Sequence, residues 1–160
     1  MKTRTKTILI TTVCAAAAMA LGAEAPLGQS IWPAQEMATT PSEAQVTGFI
    51  LVSLFASIVF GLGVSFLLLG YPAVRRRVGS TPHAVATFVA IAWILVSWFP
   101  HDNLHMFVGE DPGGILALLV GFHVTLMVSG LVLAYESVRA ISQTTRTFAT
   151  ATDPRAAAVR

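Results

Sequence analysis

Four histidines are the side chains in this 160-residue chain with the most chemistry to offer: His83, His101, His105 and His123. His101 and His105 are four apart, with Asp102 and Asn103 between them and Met106, Glu110 and Asp111 following. On a helix, residues four apart share a face, so two imidazoles at this spacing can grip one cation. Imidazole beside carboxylate suits zinc or copper(II), and a thioether shifts the preference toward copper(I). A firm metal site takes three or four ligands, so the pair is a weak signal alone. The plain alternative is a polar interfacial loop, His101 to Asp111, that caps two apolar helices.

His123 stands apart. It falls inside an apolar run over 115–135, about nine positions into its helix, or ~13 Å at 1.5 Å per residue. That count puts it near a bilayer midplane. An ionisable group there is costly and faces the protein interior or a cavity. It suits a metal or haem ligand, a proton relay, or a polar contact to a lipid or quinone. Equally, it suits a neutral imidazole hydrogen-bonded to a neighbouring helix. On this count His123 lies too deep to share a metal with His101 and His105, whose ligand bonds would be ~2 Å. Only a dip of residues 100–113 back into the protein would join them. His83, at the other end of its helix, does not match His123 in height, so a haem between them is not supported.

No phosphate loop, nucleophile elbow, zinc-protease motif or paired cysteine motif occurs. The only cysteine is Cys14, which excludes a disulfide within the chain. The sequence leans away from an enzyme.

The elements that must position these residues follow from composition. Hydrophobic residues make up 54% of the chain and charged ones 11%, against about 25% charged in a soluble domain. The expectation is an all-α integral membrane protein: an N-terminal signal peptide, then a three-helix transmembrane bundle.

Residues 1–25 have the form of an export signal. Lys2, Arg4 and Lys6 precede an apolar run, and Ala23-Glu24-Ala25 suits a signal peptidase. The run is short for a span of ~20 residues, though an uncleaved anchor is the alternative. Both readings put residue 26 outside the cytoplasm. Cleavage removes three of ten basic and one of eight acidic residues, leaving seven of each. The remainder is neutral, and nucleic-acid binding has no electrostatic support.

Residues 26–45 read as an extracytoplasmic lead-in, with Trp32 suited to the interface. Three helices are expected over about 46–71, 82–99 and 113–138, within a transmembrane domain over 46–142. Ser42-Glu43-Ala44-Gln45 has capping-box spacing. Gly70-Tyr71-Pro72 ends the first helix. Pro82 and Pro112 suit first helical turns, after Ser80 or Thr81 and after Asp111. Residues 143–160, rich in Thr and Ala, read as a disordered cytoplasmic tail.

Arg75, Arg76 and Arg77 are the strongest orientation signal. They put the loop after the first helix in the cytoplasm. Every Lys or Arg beyond residue 25 then falls on that side, leaving the mature N-terminus outside and the C-terminus cytoplasmic. A multi-pass protein of a bacterial-type inner membrane is expected.

Two stripes of small residues bear on packing. Ser53, Ser57, Gly61 and Ser65 recur every four positions, as do Ala117, Gly121, Thr125 and Ser129. Such stripes let helices approach closely. Glu136 and Arg139, three apart, suit an ordinary surface ion pair worth a few tenths of a kcal/mol.

Function is the least legible layer. The lack of catalytic motifs and of soluble mass points first to a non-catalytic accessory or assembly subunit of a larger membrane complex. Its partners would be the bilayer and other membrane proteins, or itself. The second reading is a metal- or haem-handling protein using His101, His105 and His123, with copper, zinc or haem bound. The third is a small oligomeric transporter or channel, since three helices enclose no pore.

Overall fold

A computed structural model describes residues 2–23, 25–32, 42–105 and 112–151. Five α-helices make up most of it: α1 (Thr3–Leu21), α2 (Glu43–Leu69), α3 (Tyr71–Val78), α4 (Thr81–His105) and α5 (Pro112–Ala151). A short 3-10 turn, Gly28–Ser30, follows α1. Among the described residues there is no strand. Four helices are long and apolar enough to cross a membrane: α1, α2, α4 over Thr81–Leu104, and α5 over Ala117–Thr145. This is the architecture of a multi-pass membrane protein.

Local sequence explains where the helices start and stop. Ser42 accepts the Gln45 N–H, and the Ser42 N–H donates to Gln45 Oε1 at 2.8 Å, the expected capping box. Gly70 interrupts the chain, and α3 carries Arg75, Arg76 and Arg77 in its last turn. Gly79, at φ 78°, ends it. A left-handed residue here costs glycine nothing, so the chain turns sharply into α4.

Two boundaries differ from expectation. Pro100 does not end the second expected span: α4 runs through it to His105. A proline removes one backbone donor and usually kinks a helix, but the next five residues stay helical. Residues 143–151, expected to be disordered, continue α5 to a length of 40 residues. At 1.5 Å per residue that is about 60 Å, roughly twice the hydrocarbon thickness.

The spanning helices alternate in direction and pack in chain order, α1 on α2, α2 on α4 and α4 on α5. No comparable α1–α5 or α2–α5 interface closes the row. Side-chain register fixes the antiparallel sense. Thr11 of α1 donates to Ser65 of α2 at 3.2 Å. Phe55 and Phe66 of α2 meet Trp98 and Phe88 of α4. His83 and His101 of α4 meet Glu136 and His123 of α5. Lys2, Arg4, Lys6, Arg75, Arg76, Arg77 and Arg139 consequently gather at one end of the row.

The tightest joint is between α1 and α2. A Cβ on Gly61 would sit 2.4 Å from the Thr11 carbonyl oxygen and 3.2 Å from the Ala15 Cβ. Ser57 and Ser65 beside it are 1% and 2% exposed. So the stripe Ser53, Ser57, Gly61, Ser65 faces α1, the helix expected to be a removable signal. On its other flank, a Cβ on Gly63 would meet the Leu95 backbone at 2.9 Å, which lets α4 come equally close.

Candidate functional site

Polar side chains meet along the α4–α5 seam at three levels. At the basic end, His83 Nδ1 lies 2.5 Å from Glu136 Oε1, and Arg139 donates to Glu136 Oε2 at 3.0 Å. The Glu136 side chain is 10% exposed. The expected Glu136–Arg139 pair is present, and with His83 it forms a part-buried three-residue arrangement that ties α4 to α5. Halfway along, Trp93 Nε1 donates to Thr125 Oγ1 at 3.0 Å, and Trp93 stacks on Phe122 at 5.8 Å.

At the far end, His101 and His123 come together. Their Nε2 atoms are 3.4 Å apart and their ring planes cross at 73°. His101 also meets Phe122 edge-on. The expected difference in depth between these histidines is absent, for two reasons. The helical continuation of α4 carries His101 on the spanning helix. The length of α5 also misleads a count from the start of its apolar run. Residue 131 is the middle of the Ala117–Thr145 span, so His123 lies eight residues, about 12 Å, from the centre.

The backbone sets the tautomer of His123. Its Nδ1 is 2.8 Å from the Leu119 carbonyl oxygen. A carbonyl only accepts, so Nδ1 carries the proton and a neutral ring turns the Nε2 lone pair toward His101. The Leu119 carbonyl holds the ring in this pose.

The other expected site residues separate from this pair. Asp102, one residue on, lines a cavity of about 190 Å³ between α1, α2 and α4 with Ala18, Ser53, Ser57, Phe99 and Asn103 among its walls. Asn103, 6% exposed, accepts the Ala23 N–H at 2.7 Å and donates to the Phe99 carbonyl at 2.7 Å. Trp32 donates to the Leu21 carbonyl and sets its edge against Phe99. The end of α1 is thereby fastened to α4. The side chain of His105, together with Met106, Glu110 and Asp111, lies outside the described residues. Among the described residues, no three His, Cys, Asp or Glu side chains converge on one point.

The two small-residue stripes do not meet each other. On α5, Ser129 is buried and Thr125 bonds Trp93, but Ala117 and Gly121 are exposed, and a Cβ on Gly121 would meet nothing within 4 Å. Around Gly121, Val124 and Val128 are 52% and 54% exposed. Arg77 and Arg139 line a cleft of about 370 Å³ with Thr87 and Glu136 at the basic end.

Sequence reasoning missed two features. One is the partnership of Thr11, Ala15 and Ala18 with α2, whose signal is the recurrence of small residues on the first apolar run. The other is His83 with Glu136, legible once both are placed at the same end of antiparallel helices. No family model, curated protein or solved structure matches the chain.

Proposed function

We propose that the chain is a non-catalytic accessory or assembly subunit of a larger membrane complex, and that the α4–α5 flank is the face it presents to its partner. One observation carries the reading. Polar groups within the span, His123 and the Trp93–Thr125 pair, lie on an exposed flank that no other described helix of the chain covers. Polar groups at membrane depth are rarely left to lipid; they turn toward protein or a water-filled cavity. The open backbone at Gly121 gives a partner helix room to approach.

In this reading α1 stays as a fourth membrane helix rather than leaving as a signal. Its support is the fit at Gly61, the Thr11–Ser65 hydrogen bond and the Asn103 clasp on Ala23. Without α1, Ser57, Ser65 and Asn103 would lose the surface that buries them. Retention puts Lys2, Arg4 and Lys6 beside Arg75, Arg76, Arg77 and Arg139, and all face the cytoplasm under positive-inside insertion. Residue 2 and the end of α5 then both lie on the cytoplasmic side of a bacterial-type inner membrane.

The test is extraction from the native membrane in mild detergent, comparing wild type with Gly121→Leu. The reading expects a stoichiometric partner with wild type that is lost from the variant. A lone chain in both preparations would refute it.

A further inference from the structure

We infer that His101 and His123 form a two-imidazole site for a divalent transition-metal cation, with zinc as its natural occupant and copper(II) as a spectroscopic stand-in. The site is a property of this chain alone and stands whether or not a partner covers the flank beside it.

Geometry carries the inference. Two nitrogens bound tetrahedrally to one metal at 2.0–2.1 Å are separated by about 3.4 Å, the edge of the tetrahedron. The His101 and His123 Nε2 atoms are 3.4 Å apart. As a direct hydrogen bond that distance is long, beyond the usual ~2.7–3.2 Å for an N–H donor. The same two atoms fit around a cation with little movement.

Second, His123 is already arranged as a ligand. Its Nδ1–H donates to the Leu119 carbonyl at 2.8 Å, the outer contact that metal-bound histidines make almost without exception. It fixes the ring and leaves Nε2 as the coordinating atom. The partner ring is held too, since His101 sets its edge against Phe122, which stacks on Trp93.

Third, the donor set selects the metal. Imidazole nitrogen suits zinc, copper and nickel, whereas magnesium and calcium take oxygen ligands. Among the described residues no third His, Cys, Asp or Glu joins the pair.

The experiment uses the full chain, reconstituted in lipid nanodiscs and treated with chelator. Copper(II) is added alone and binding is read by equilibrium dialysis and by electron paramagnetic resonance. We expect one equivalent per chain, with hyperfine structure from two nitrogens. His101→Ala and His123→Ala should each weaken binding at least tenfold, and His83→Ala, which only loosens the α4–α5 register at the other end of the seam, should weaken it much less. His123→Gln, which keeps a polar side chain at that place, serves if the alanine variant fails to insert. Binding that persists in the double variant, or no stoichiometric binding by folded wild type, would overturn the site.

Discussion

Glu136 of α5 holds His83 of α4 at 2.5 Å while its second oxygen accepts from Arg139. This contact fixes the register of two helices that share no other charged pair among the described residues. Because the carboxylate is 10% exposed, removing it strands two donors. Glu136→Ala is expected to cost about 1 kcal/mol, the low end of the penalty for unsatisfied polar partners, because His83 and Arg139 are themselves 32% and 25% exposed. Thermal unfolding in detergent would reveal it as a lowered midpoint. A midpoint equal to wild type would mean that the contact is not formed in the membrane.

The register matters beyond stability. Sliding α5 by one turn moves a residue about 5.4 Å along the axis, which would part His101 from His123. Glu136→Ala is therefore predicted to weaken copper(II) binding at the far end of the seam as well. His83→Ala, which leaves the Glu136–Arg139 pair intact, is predicted to have the smaller effect on stability.

Retention of α1 has a direct signature. The protein purified from membranes is predicted to retain residues 1–25, seen by mass spectrometry as peptides that span them. A species lacking residues 1–25 would show that α1 acts only as a signal.

Gly61 and Gly121 should respond in opposite ways. A leucine at 61 must displace the Thr11 backbone and Ala15. Overpacking of this kind typically costs about 1–3 kcal/mol, and a cysteine crosslink engineered between α1 and α2 should form poorly. A leucine at 121 meets open space within the chain. It should leave the unfolding midpoint unchanged and disturb only association with a partner. Equal loss of stability in both variants would contradict this division of the two stripes.

How much of this was legible in the sequence depends on the layer. The apolar runs, the Ser42–Gln45 box and the prolines at 82 and 112 located the starts of three spanning helices within a few residues, because capping and hydrophobicity are local. The membrane character was equally plain. What failed was inference across elements. Residues 1–25 carry the features of a signal, and nothing in their composition says that Thr11 and Ala15 fit against Gly61. Pro100 read as a stop, although a helix can pass through a proline when the following residues remain helical. From that boundary followed the wrong relative depth for His101 and His123. The pair was visible as two candidates, and only the antiparallel register of α4 and α5 brings them together.

The central claim is that another membrane polypeptide covers the α4–α5 flank. The most direct measurement is site-specific photocrosslinking in the native membrane from position 124, where Val124 is 52% exposed. A probe at Leu9 on α1, 53% exposed, is the control. The account predicts one distinct protein adduct from position 124, absent in the Gly121→Leu background and absent from position 9. Lipid adducts alone at position 124 would contradict it, and the chain would then stand in the bilayer by itself.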